Sequence, residues 1–134
     1  MGKTRSQAAQ ASVTLDAGAL IALDRGDQRM LALLQVLLAE KGRAHVPAGV
    51  VGQAWRAGAR QAVLARFLRL PEVEIESLDG DVARACGELC AATRTSDVID
   101  ASVVIVARRH GDAIITSDVA DIRRLDPSAV IERV

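Results

Sequence analysis

Short apolar runs of strand type alternate along the chain with segments of helical period. Ser-Val-Thr-Leu over 12–15 is short and rich in β-branched residues, and Asp16 follows it without a turn. Residues 17–24 read as a short apolar helix. Asp27 is placed to cap a second helix, in which Met30, Leu31, Leu34, Leu37 and Leu38 recur at spacings of three and four, with Gly42 as its stop. Residues 43–46 read as a strand, and Pro47 suits the first turn of a helix over 48–57. Gly58 punctuates, and a helix over 61–70 ends at Pro71. Val-Glu-Ile-Glu over 73–76 alternates apolar with polar, the pattern of a half-exposed edge strand. Helices over 79–92 and from Ser96 or Asp97 to His110, closed by Gly111, lead to a buried strand over 113–116. A short helix over 118–124 and a terminal strand over 130–134 complete the pattern. No internal repeat interrupts it.

Strands that alternate with helices predict an α/β fold, a mostly parallel sheet with helices on both faces and right-handed crossovers. Ligands of such sheets bind beyond the carboxyl ends of the strands. Those positions hold carboxylates: Asp16 after the first strand and Asp118 after the fourth. Asp97 and Asp100 share one face of the first turn of the helix ending at His110. Asp97 and Asp118 taken alone are N-caps. Asp16 lies between a buried strand and a buried helix, where a carboxylate is costly without a positive partner, and no basic residue follows until Arg25. Carboxylates that converged at one sheet edge would repel one another and their pKa values would rise; a divalent cation relieves this. All-oxygen ligation suits Mg²⁺ or Mn²⁺ better than zinc, and such an ion can orient water for in-line attack on a phosphodiester.

Composition narrows the field. The 134 residues fit one domain, 12–134, after a polar tail over 1–11 that reads as disordered. Hydrophobic residues make up 50% and charged residues 25%, which is globular composition. Seventeen basic residues balance seventeen acidic ones, against a binder that relies on bulk positive charge. Trp55 and Phe67 are the only aromatics, against base reading by ring stacking. No apolar run is long enough to span a bilayer and no secretory signal is evident, so a cytoplasmic setting is expected. Cys86 and Cys90, four apart in a helical pattern, read as core thiols.

Four segments, quoted in order, resemble the successive motifs of PIN domains, and specifically of the VapC ribonuclease toxins of bacterial toxin–antitoxin pairs. They are VTLDAGALIAL from Val13, VPAGVVGQAWR from Val46, DASVV from Asp100 and AIITSD from Ala113. The resemblance covers nearly the whole chain from Ser12. It implies a three-layer α/β/α sandwich and an acidic quartet that binds Mg²⁺ or Mn²⁺. It also implies endoribonuclease activity on a structured RNA such as tRNA or rRNA, a homodimer, and a VapB-like antitoxin partner. On this resemblance Asp16, Asp100 and Asp118 are the first, third and fourth acids, catalytic and metal-binding. Asp97 is a supporting acid, and Thr116 is a hydroxyl that can hydrogen-bond an acidic neighbour. The second acid, normally Glu, is Gln53 here, which carries no negative charge and is no base. A weakly active or inactive module working through antitoxin or RNA binding is the alternative that Gln53 leaves open.

The remaining residues have plainer readings. Asp121 matches an aspartate of the family's last short helix, with solvated helix surface as the plainer reading. Trp55, two residues after Gln53, points away from the metal site if the helix continues, toward the core or a subunit interface. His110 suits the helix C-terminus, and His45 has no assigned role. Lys3 and Lys41 are the only lysines, so fifteen of the seventeen basic residues are arginine, apt for phosphate contacts or, as the resemblance implies, for the antitoxin. A phosphatase with Asp-x-Asp after its first strand would need an acid where Gly18 stands.

Overall fold

A computed structural model describes residues 11–134. The expected tail over 1–11 lies outside the described residues, apart from Ala11, whose carbonyl accepts the Arg43 amide at 3.0 Å. The five strands are β1 (Ser12–Leu15), β2 (Arg43–Pro47), β3 (Val73–Glu76), β4 (Ala113–Thr116) and β5 (Ile131–Arg133). They form one parallel sheet in the order β3-β2-β1-β4-β5. Seven α-helices lie among the described residues: α1 (Ala17–Asp24), α2 (Gln28–Ala39), α3 (Ala48–Ala54), α4 (Ala62–Leu68), α5 (Gly80–Thr93), α6 (Val98–His110) and α7 (Val119–Leu125). A 3₁₀ turn, Ala59–Gln61, precedes α4.

The layers follow from burial. β1 and β2 are inner strands, and Thr14, Leu15, Ala44 and Val46 are essentially inaccessible, as expected of strands covered on both faces. The helix α6 lies across β1, β2 and β4 between α5 and α7, while α1 packs against α2, α3 and α4. Ala101, Val103, Val104, Val106 and Ala107 bury most of α6's surface, so its first turn is held rigidly. The predicted α/β/α sandwich is therefore the fold, and the alternating 73–76 strand lies at the sheet edge. Cys86 and Cys90 are free thiols buried in the core, and burial raises the Cys86 pKa. Among the described residues no helix is long and apolar enough to cross a membrane.

Three local expectations are corrected. The helix expected over 48–57 stops at Ala54, because Trp55 turns to extended backbone and Ala57 takes a left-handed φ of 57°. Trp55 therefore lies outside the helix, and the expectation that a continuing helix would point it away from the site does not apply. The helix expected over 61–70 is shorter at both ends. Gly42 does not supply the left-handed stop of α2; Lys41 does, with φ 59°.

Gly42 is needed for close approach instead. A Cβ there would lie 2.3 Å from the Ala11 carbonyl and 2.5 Å from Leu37 Cδ1. Gly87, by contrast, lies inside α5 with open space around it. We expect Gly42→Ala to lower unfolding free energy by about 1–3 kcal/mol and Gly87→Ala to raise it by about 0.5–1 kcal/mol. Urea titrations of both variants check this.

Candidate active site

Asp16 is the first residue beyond β1, and its amide still donates to Ile115 O of β4 at 3.2 Å, so the backbone is fixed by the sheet. One carboxylate oxygen caps α1 by accepting the Ala19 amide at 2.9 Å. The other accepts the Thr116 hydroxyl, and Thr116 Oγ1 in turn accepts the Asp118 amide at 2.8 Å. The hydroxyl at the end of β4 thus joins the residues that follow two adjacent strands. Asp16 is 6% exposed. Burial raises its pKa and the Asp118 charge adds to this, while hydrogen bonds from Thr116 and the α1 amides pull it down.

Asp97 caps α6 by accepting the Asp100 amide at 2.9 Å, and Asp118 caps α7 by accepting the Asp121 amide at 3.3 Å. The cap readings are correct, and each cap uses one carboxylate oxygen. Asp100 is half-buried on the first turn of α6. Its carboxyl is pushed up to about 7, first by burial and then by the charges of Asp97, Asp121, Asp16 and Asp118. Asp121 is raised by its hydrogen bond to Asp118 and by the Asp118 charge. Five carboxylates from three separate segments, the end of β1 and the starts of α6 and α7, therefore share one electrostatic environment. Asp121, expected as plain helix surface, is part of it.

Asp97, Asp100 and Asp121 line an open cleft of about 260 Å³ together with Arg94, Thr95, Ser96 and Arg124. Arg94 ends α5 with a left-handed φ of 57°. Two guanidinium groups thus flank the acids, and Arg124 partly offsets the repulsion at Asp121. Arg94 drew no attention in the sequence because its position depends on how α5 meets α6.

Gln53 is not in this cleft. It is exposed on α3 and lines a neighbouring hollow with Ile21, Asp24, Arg25, Arg56 and Gln61. The donor set of the acidic cleft is all oxygen, which suits a hard divalent ion held partly through water. Asp16, Asp100 and Asp118 are not drawn tightly together: among the described residues, the group whose ligand atoms all lie within 4.8 Å is His45, Glu76 and His110.

That group is what the sequence reading missed. His45, given no role, is buried on β2, and its Nδ1 lies 2.7 Å from Asp112 Oδ2. Ser12 and Thr14 hydroxyls also donate to Asp112. His110 is not merely at a helix end; its ring stacks on His45 with centroids 3.7 Å apart, and its Nε2 lies 3.3 Å from Glu76 Oε1. The available signal was a His in the middle of a buried strand, which needs a polar partner.

A family model described as the PIN domain matches residues 13–126. No curated protein matches by sequence. Among solved structures, VapBC2 from Rickettsia felis, bound to a promoter DNA fragment, is similar at TM-score 0.68 and 16% identity, over 92% of this chain and 98% of that one. VapC20 of Mycobacterium tuberculosis, described as a sarcin-ricin loop cleaving toxin, gives TM-score 0.62 and 21% identity, over 88% and 96%. FitAcB from Neisseria gonorrhoeae gives 0.64 and 20%, over 89% and 95%. With the family model spanning all but the ends of the chain and these structures sharing its architecture, the chain belongs to the PIN domain family.

Proposed function

We propose that the chain is a Mg²⁺- or Mn²⁺-dependent endoribonuclease, the toxin of a toxin–antitoxin pair, which hydrolyses phosphodiester bonds of a structured RNA such as tRNA or rRNA in the cytoplasm. The observation that carries this is the grouping of acids beyond the carboxyl ends of β1 and β4: Thr116 joins the Asp16 carboxylate to the Asp118 amide, Asp97, Asp100 and Asp121 line one cleft, and burial followed by these charges pushes the Asp100 carboxyl up to about 7. Isolated caps on separate helices would not perturb one another in this way. The similar VapBC2 and FitAcB structures favour a VapB-like antitoxin partner; the homodimer rests on the resemblance of the sequence motifs alone.

In this reading Asp16, Asp100 and Asp118 hold the ion, with Asp97 supporting. A bound divalent ion supplies a Lewis acid that neutralises charge developing at phosphorus and its oxygens. The protein's own residues set the geometry. Thr116 fixes the Asp16 carboxylate, the cap bonds fix Asp97 and Asp118, and the buried body of α6 fixes Asp100. Arg94 and Arg124 flank the cleft, where a phosphate backbone can meet their guanidinium groups. With so few aromatics, the RNA would be recognised by shape and phosphate contacts.

A second reading has its own observation. Gln53 is uncharged and lines a different hollow, so the cleft has one acid fewer than the family pattern. The chain would then be a weakly active or inactive module acting through antitoxin or RNA binding.

Purified chain incubated with Mn²⁺ and total bacterial RNA should give discrete cuts. Asp16→Asn and Asp100→Asn should each lower the cleavage rate at least ~100-fold, the loss typical of disturbing even an outer-shell partner. Absence of cutting by the parent, with expression of parent and Asp16→Asn equally harmless to growth, would overturn the nuclease. Gln53→Glu separates the two readings: a large gain in metal affinity and cleavage supports the weak module, and unchanged rates show that Gln53 is tolerated.

Proton linkage gives a further check. The folded pKa of Asp100 lies above its unfolded value, so its contribution to stability is full below about pH 4 and is lost as pH rises through about 7. The metal-free chain should therefore lose melting temperature between about pH 5 and pH 8. Mn²⁺ should diminish that loss by replacing the proton, and Asp100→Asn should flatten the metal-free profile. Thermal melts with and without Mn²⁺ read both effects.

A further inference from the structure

The second cluster lies far from the carboxylate cleft. His110 is ten residues beyond Asp100 on α6, about 15 Å along the axis. Asp112 precedes β4 and His110 ends α6, which places these two residues at the opposite ends of those elements from Asp118 and Asp100, while Glu76 is the last residue of β3.

The key feature is the orientation of His45. Its Nδ1 faces Asp112, whose side chain is 0% exposed and already receives two hydroxyl hydrogen bonds. An ionised carboxylate only accepts, so Nδ1 carries the hydrogen; with no second proton on the ring, Nε2 presents its lone pair. That lone pair faces another acceptor, Glu74 Oε1 at 3.3 Å. The neighbouring ring repeats the arrangement, with His110 Nε2 at 3.3 Å from Glu76 Oε1. A lone pair against a carboxylate is unfavourable unless a positive centre lies between them. Two ligands held about 2.0–2.1 Å from one tetrahedral ion stand about 3.3 Å apart. A carboxylate behind a histidine is also the usual outer-shell partner of a metal-bound imidazole.

We propose that His45 Nε2, His110 Nε2 and a Glu76 carboxylate oxygen form a second metal site, for a borderline transition ion such as Zn²⁺, with Asp112 orienting His45. The mixed nitrogen and oxygen set distinguishes it from the all-oxygen cleft and disfavours Mg²⁺. Glu74, beside His45 Nε2, can fill the fourth position. The two rings are stacked at 5°, so closing the ligand set requires His110, partly exposed at the last residue of α6, to rotate. Arg109 and Arg43, which pair with Glu76 and Glu74, would give up those contacts. An ion there ties β2, β3 and the end of α6 together. The rival is a proton on each Nε2, which leaves the rings as imidazolium ions paired with the glutamates.

The test uses the full chain carrying Asp16→Asn and Asp100→Asn, so that the acidic cleft is silenced. Calorimetric titration with Zn²⁺ should give one ion per chain, and Co²⁺ should give the visible absorption of a tetrahedral nitrogen–oxygen site. His110→Ala and Glu76→Gln should each weaken Zn²⁺ binding at least ~10-fold and abolish the Zn²⁺-dependent rise in melting temperature. Cys86→Ser should leave both unchanged. His110→Ala and Glu76→Gln alter partly exposed side chains and so avoid the folding risk of replacing buried His45, and circular dichroism checks that each variant, the core substitution Cys86→Ser included, is folded. No Zn²⁺-dependent rise in the parent, binding that survives His110→Ala undiminished, or binding lost with Cys86→Ser overturns the proposal.

Discussion

Repulsion among carboxylates beyond one end of a parallel sheet is the constraint to which the surrounding structure answers. Asp16 and Asp118 follow the adjacent strands β1 and β4, and α6, crossing those strands, sets Asp100 within reach of their charges. The carboxyls of Asp16 and Asp100 are raised first by burial and then by neighbouring acids, and that of Asp121 by its hydrogen bond to Asp118 and the Asp118 charge. Local bonds offset part of the repulsion. Asp16, Asp97 and Asp118 each accept a backbone amide at a helix start, and Thr116 donates to Asp16. In the proposed function, the residues that cap the helices are also the ones that would hold the ion. A cap occupies one oxygen and orients the carboxylate, and the positive end of the helix dipole lowers the cost of its charge.

The helix α6 connects two chemically different ends of the molecule. Its first turn presents Asp100 to a solvent-open cleft flanked by Arg94 and Arg124. Its last residue stacks on His45, which is anchored to Asp112 between strands β2 and β4. The apolar body between them is buried in the core. Hard oxygen ligands at one end and imidazole at the other favour different cations, so the two ends need not compete for the same ion.

The alternation of strand and helix, most element boundaries and the acids after β1 and β4 were legible in the amino-acid order, because burial on both sheet faces writes continuous apolar runs and caps require Asp at particular positions. Asp27 and Asp97 cap the helices where their position in the pattern places them, and Asp79, read as the first helical residue, is a cap as well. The early stop of α3 at Ala54 was not legible, since the nearest glycines, Gly52 and Gly58, lie to either side of the stop and not at it. Nor was the role of Gly42, whose neighbour Ala11 approaches only when β1 and β2 pair.

By itself, then, the sequence determined the fold class, the acids that follow the strands and the absence of charge at Gln53. These depend on local periodicity and residue identity, which the linear order contains. Tertiary structure alone decided how closely Asp97, Asp100 and Asp121 share a cleft, that Gln53 lines a different hollow, and that His45 meets His110 and Asp112. Those depend on strand order and helix packing. Partners 65 and 67 residues apart from His45 in the chain become neighbours only when β2, β4 and the end of α6 are assembled.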